Sequence, residues 1–168
     1  MFKSLLREHR RAVAVDGLIT PGSSADPVFD RFVTAAAAAF VAPISALSLI
    51  HDEEQTVKAS HGITMDCFPR SDGFCSFVLD SPEVLECCDP QGDPRFAGLP
   101  SVVGDPHVRY YIGAPLRLLS GIDVGALCVL DTVERRPASH DQRAYLLGLA
   151  RQASMMLESR LGIWGNAA

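Results

Sequence analysis

The succession of apolar and polar positions divides the chain into distinct elements. Phe2, Leu5, Leu6, His9 and Val13 recur at helical spacing, with Lys3, Arg7, Arg10 and Arg11 mostly elsewhere, which predicts a short basic amphipathic helix. Its stripe can pack on the protein itself, on a partner subunit or on an anionic membrane surface. Pro21-Gly22-Ser23-Ser24 reads as a loop. Asp26 then Pro27 is a helix start, an acceptor for free amides followed by a residue with no amide to satisfy. Phe29, Phe32, Val33, Ala36 and Phe40 follow on one helical face, and the alanines from Ala35 to Ala39 permit close approach to a sheet. Pro43 ends that helix.

Ile44 to Ile50 is apolar on both alternating faces, the mark of a strand inside a sheet. Asp52-Glu53-Glu54 turns the chain and Gln55 to Ser60 returns as its hairpin partner. Pro69, Ser71, Asp72 and Gly73 lead into a predicted short helix, Phe74 to Leu79, stopped by Ser81-Pro82. Val84 to Cys88 reads as a short strand. Asp89 to His107 is irregular, punctuated by Pro90, Gly92, Pro94, Gly98, Pro100, Gly104 and Pro106, and a loop of that length commonly covers a binding site. Arg109 to Leu118 and Ile122 to Leu130 form a second hairpin. Ser139-His140-Asp141-Gln142 fits a capping box, and the helix it opens carries Leu146, Leu149, Ala150, Ala153, Met156 and Leu157 on one face as far as about Leu161. Consecutive antiparallel strands with helices at both ends imply an α+β layered fold.

The length, 168 residues, suits one domain. Lys+Arg 15 against Asp+Glu 20 gives a net charge of −5, so no basic footprint for nucleic acid exists and nucleic acid is not an expected partner. The longest near-apolar run, Ala35 to Ile44, is too short to cross a bilayer. Charges interrupt the N-terminal apolar stripe, so no secretory signal is read and a cytoplasmic location is expected. Cys67, Cys75, Cys87, Cys88 and Cys128 are then reduced thiols, and with no Cys-x-x-Cys and dispersed histidines no metal site is expected.

Three segments together resemble the GAF domains, small-molecule-binding sensor modules of histidine kinases, cyclases and phosphodiesterases. They are Asp93-Pro94-Arg95-Phe96, Val108-Arg109-Tyr110-Tyr111-Ile112-Gly113-Ala114-Pro115-Leu116 and Gly125-Ala126-Leu127-Cys128-Val129-Leu130-Asp131. Pro69-Arg70-Ser71-Asp72-Gly73-Phe74-Cys75 is similar to the stretch that opens the family's pocket helix. The resemblance implies a GAF/PAS-like central antiparallel sheet of five or six strands, with N- and C-terminal helices packed on one face and a lid over the other. On that reading residues 1–26 are an N-terminal helix and linker, 27–161 the domain and 162–168 a frayed tail. The pocket would lie between the sheet and the segments Cys67 to Leu79 and Asp89 to His107, and the terminal helices would form a homodimer surface that signals to a partner protein.

The candidate ligand-binding residues are Cys75, Phe77, Arg95, Phe96, His107, Arg109 and Tyr111. Arg95 and Arg109, with Asp93 and Asp105 nearby, form either an anion site or an ion-pair network that fixes the lid, because a guanidinium matches carboxylate and phosphate equally well. Tyr110 and Tyr111 alternate across a strand, so one faces the core and the other the pocket or solvent. His107 can hydrogen-bond a ligand or a loop carbonyl. Covalent bilin attachment is disfavoured, since Asp66-Cys67-Phe68 departs from the family's attachment pattern. Cys75 and Cys67 resemble part of the cysteine set of a GAF-fold methionine sulfoxide reductase, whose further cysteine has no counterpart between His107 and Ile112. Cys87 and Cys88 point to opposite faces and read as packing. The expected function is a stand-alone GAF sensory domain binding an unidentified small molecule under residues 89–107, with no catalytic residue and no cofactor assigned. The alternatives are a thiol-dependent reductase or a ligand-free dimerisation module.

Overall fold

A computed structural model describes residues 1–19 and 25–165, with side chains through 162. Six antiparallel strands form one sheet in the order β3-β2-β1-β6-β5-β4. They are β1 (Ile44–His51), β2 (Glu54–His61), β3 (Cys67–Pro69), β4 (Leu85–Cys87), β5 (Tyr110–Arg117) and β6 (Asp123–Asp131). The helices are α1 (Phe2–Asp16), α2 (Asp30–Phe40), the single-turn α3 (Pro100–Val103) and α4 (His140–Gly165). The two sequence-predicted hairpins are present, and β1 and β6, each the first or last strand of a hairpin, join them at the sheet's centre with Ala46 opposite Cys128. The α+β architecture therefore follows from two hairpins that each bury one strand on both faces.

Alternate residues of the central strands serve two separate cores. Leu47, Leu49, Tyr110, Ile112, Ala114 and Val129 face α2 and α4. Ala46, Ile50, Val57, Tyr111, Ala126 and Cys128 face the other side, where the Cys75–Phe77 turn and residues 89–108 cover them. On α4 the expected stripe is buried at Leu146, Leu149, Ala150, Ala153 and Leu157, and burial of each leucine contributes about 1.5–3 kcal/mol. The capping box closes reciprocally, Ser139 Oγ accepting from Gln142 N at 3.1 Å and Gln142 Oε1 from Ser139 N at 3.0 Å.

Several boundaries differ from the expectations for physical reasons. Asp26 caps a 3-10 turn, Pro27–Phe29, by accepting from Val28 N at 3.1 Å, and the α-helix begins one turn later. The expected helix from Phe74 to Leu79 is a 3-10 turn, Cys75–Phe77, because the Phe74 and Cys75 side chains both turn onto the sheet. Residues 89–107 include α3, started by Pro100. β3 lies on a stretch read as loop; its three residues pair only with β2, too few for alternation to register. α4 continues through 162–165, which were expected to fray; 166–168 and the Pro21–Ser24 loop lie outside the described residues.

The orientation of α1, left open by the sequence, is fixed by its charged face. Phe2, Leu5, Leu6 and Val13 are exposed, while Arg11 and Val15 are buried. The helix sits at the sheet end marked by His51 and Asp123, where backbone and carboxylate groups need donors. Arg11 supplies them: Nε donates to the Asp123 carbonyl at 2.6 Å, and the guanidinium pairs with Asp80 at 3.2 Å and with Glu8. A buried guanidinium with four acceptors outweighs the burial of a small apolar stripe.

Candidate functional site

A cavity of about 280 Å³ lies between the sheet and its non-helical cover. Its floor is built from one position on each of several neighbouring strands: Ala46 on β1, Gln55 on β2, Tyr111 on β5 and Cys128 on β6, all buried. Phe74 and Cys75 descend onto that floor from the turn after Gly73. The rim is only partly buried and comprises Ile63, Met65 and Asp72 on one side, and Ser101, Asp105 and Pro106 on the other.

Aromatic rings define one wall. Phe74 stacks on Tyr111 with centroids 4.7 Å apart and planes 8° from parallel, and Phe96 supports Phe74 from behind at 4.8 Å. Gly113, two residues along β5 on the same face, makes this possible: a Cβ there would collide with the Tyr111 hydroxyl. With that space free, Tyr111 lies along the strand and its hydroxyl donates to Cys75 Sγ at 3.3 Å.

The floor is also where the thiols concentrate. Cys75, beside Cys128, Tyr111 and Gln55, has its pKa lowered chiefly by hydrogen bonding from Cys128 and further by Tyr111 and Gln55, against the effect of burial. Cys128 is raised, first by its bond to Cys75 and then by burial. Burial also raises the Tyr111 phenol, and the neighbouring sulfurs add to it. The thiol pair and the phenol thus lie within one hydrogen-bonding cluster, in a site that strongly disfavours charge.

Two of the sequence-predicted site residues, Cys75 and Tyr111, line the cavity. The other five do not. Phe96 is fully buried behind Phe74, and Phe77, nearly half exposed, meets Phe96 edge-on at 5.1 Å. Arg95 lies over the outer side of Phe96 and pairs with Asp93 at 2.7 Å. Arg109 donates to the carbonyls of Val102 and Val108, at 3.0 and 2.9 Å, tying α3 to the entry of β5. His107 is exposed in the left-handed region with φ 61°, while its neighbours Asp105 and Pro106 line the cavity instead. Both arginines therefore fix the lid. Asp93 registers that role, since the Arg95 guanidinium lowers its carboxyl pKa to about 2.

Cys67 is exposed on β3 and absent from the cavity wall, whereas Phe68, the next residue and so on the opposite strand face, lines it. Cys67 and Cys75 are not brought together there. Gln55 and Asp72 were not among the predicted site residues, and Asp105 was named only as a neighbour of the lid arginines. Gln55 carried a usable signal, as a polar residue entering a strand whose later positions are buried.

The segment that walls the cavity is tied directly to α1. Arg70, two residues before Asp72, donates to Glu8 at 2.9 and 3.1 Å, and Glu8 also pairs with the buried Arg11. The Arg70 bond, more than any other interaction, lowers the Glu8 carboxyl pKa. Asp123 extends the network, accepting from Arg117 at 2.7 Å and from the Asp80 amide at 2.7 Å.

Comparison with known proteins bears on this geometry. The GAF domain family model matches residues 24–157. A cyclic di-GMP phosphodiesterase of Pseudomonas aeruginosa is 38% identical over 144 residues, 86% of this chain, and the chain spans 24% of that relative's length. The GAF domain of an Acinetobacter phosphoenolpyruvate-protein phosphotransferase superposes with a TM-score of 0.67 at 17% identity, over 96% of each chain. The type II free methionine-R-sulfoxide reductase from Thermoplasma acidophilum superposes with a TM-score of 0.64 at 14% identity, over 79% of this chain and 91% of that one. At such identities the structural likeness concerns the fold alone.

Proposed function

The chain belongs to the GAF domain family, and on that premise we propose that it is a regulatory domain that binds a small molecule in the cavity above Gln55, Cys75 and Tyr111. The observation that carries this reading is the link between cavity wall and α1: Arg70 sits beside the wall residues Asp72–Cys75 and holds Glu8. An occupant that displaces the 70–77 segment changes the Arg70–Glu8–Arg11 contacts, and so the seating of α1. A ligand shifts that equilibrium only by its differential affinity for the two arrangements.

The output surface in this reading is the exposed stripe of α1. Phe2, Leu5, Leu6 and Val13 form an apolar strip that a second copy of the chain would cover, giving a homodimer whose interface responds to the cavity. The likeness to the Pseudomonas phosphodiesterase supports cyclic di-GMP hydrolysis as the activity that this domain regulates, in a partner protein or a longer chain.

Amide hydrogen exchange tests the coupling. Ala46→Phe fills the cavity and stands in for an occupant. It is expected to change protection across residues 8–12 of α1, whereas in a Glu8→Gln background the same filling leaves α1 unchanged. Equal α1 protection in the wild-type and filled proteins would contradict the proposal.

A further inference from the structure

On the premise that the cavity is a ligand site, the charge around its mouth narrows what can occupy it. The charged residues that line it are Asp72, half-buried, and Asp105, exposed on the other side of the rim. No lysine, arginine or histidine lines it. Neither carboxylate has a hydrogen-bond or ion-pair partner among the described residues. The guanidinium groups of the adjoining segments meet other partners: Arg70 pairs with Glu8 and Arg95 with Asp93, while Arg109 donates to the Val102 and Val108 carbonyls.

Two unpaired carboxylates at the opening of an apolar cavity act together. Low-dielectric walls focus their field into the mouth, which attracts cations and repels anions. A phosphate would pass both and find no cation with which to replace its hydration. The approach from the rim is apolar and accessible, since Ile63, Met65 and Phe68 are each only half-buried. The Phe68 ring packs against Gly73, the residue after Asp72. An aromatic ring and a carboxylate therefore share that side of the mouth, and an ammonium gains from both. A dry cavity of about 150 Å³ accepts benzene, so about 280 Å³ accommodates two fused rings.

We propose that the cavity binds a ring-bearing ammonium ion and excludes anions, phosphate esters among them. The apolar body of the ligand lies inside against Met65 and Phe68, and its charge stays at the mouth with Asp72 and Asp105. Burial of the rings supplies most of the affinity, and the carboxylates set which charge is admitted. Because the charge remains near solvent, each carboxylate discriminates modestly and the preference weakens with salt.

Calorimetric titration with one ring system in three charge states tests the assignment. The probes are tryptamine, a cation at neutral pH, its uncharged alcohol counterpart tryptophol, and the anion indole-3-acetate. In wild-type protein at low ionic strength tryptamine is expected to bind about fivefold more tightly than tryptophol, as one or two exposed ion pairs would give. Indole-3-acetate should bind more weakly than either. At about 1 M salt, where the screening length is about 3 Å, the tryptamine preference should fall below about twofold. Asp72→Asn combined with Asp105→Asn removes both charges and keeps both shapes. That variant should still bind tryptophol, which reports that it is folded, and lose the preference for tryptamine. Equal wild-type affinities for tryptamine and tryptophol, or indole-3-acetate binding as tightly as tryptamine, would overturn the proposal. So would a preference that survives in the double variant or is unchanged by salt, and so would failure of all three probes to bind. The small-ligand reading stands or falls separately, on whether protein from its own host carries a mass that Ala46→Phe loses.

Discussion

At the scale of single residues, the site depends on side chains that are missing as much as on those present. Gly113 gives up its Cβ so that Tyr111 can lie along β5 and reach Cys75. Gly113→Ala is therefore expected to push the Tyr111 ring off Phe74 and to cost about 1–3 kcal/mol, as inserting a methyl group into a packed core does. Urea denaturation would measure the loss; a midpoint within experimental error of the wild type would contradict the packing described. Cys75 and Tyr111 were legible in the sequence because strand alternation and the turn before Cys75 aim them inward. Arg95 and Arg109 were not, since a guanidinium near a binding loop looks alike whether it meets a ligand or a carbonyl, and here it meets Asp93 and the Val102 and Val108 carbonyls. Arg11 was placed off the apolar stripe of its helix, and only the acceptors gathered at the sheet end from distant parts of the chain explain its burial.

Elements with strong periodicity were the most legible. The hairpins, the alanine-rich α2 and the capped α4 were all recognisable from spacing, and their ends moved by a few residues. What spacing missed depends on contacts distant in sequence. β3 exists because β2 offers it an edge, and α3 because Arg109 and the entry to β5 hold that stretch in place. The lid between β4 and β5 is held at its outer end by Asp93 and Arg95. A carboxyl with a pKa lowered from 3.8 to about 2 contributes stability that is complete above its ordinary value and is lost as pH falls through about 2. The pair is largely solvent-screened, so the effect is local. Amide resonances of residues 93–97 are expected to hold steady from pH 7 to pH 4 and to shift between pH 4 and pH 2. In Asp93→Asn that low-pH transition disappears from the lid, and its persistence there would assign it to another group.

For the whole molecule, the sheet separates two cores with different tasks. The helix-side core holds the fold together, and the opposite core leaves a cavity at the place where four strands each contribute a floor residue. Two features join these layers at one end, the buried Arg11 and the Arg70–Glu8 bond. Through them the segment that walls the cavity is bonded to α1, whose apolar stripe faces outward. The family and the layer order were readable from the chain because they rest on local motifs. The outward stripe was not, because which face of a helix is buried depends on the surface it meets.

The most direct test of the central claim is native mass spectrometry of the protein purified from its own host, compared with Ala46→Phe. The account predicts a wild-type protein carrying extra mass that dissociates on denaturation, and a folded variant that carries none. Wild-type protein without extra mass, or the same mass retained in the filled variant, would contradict it.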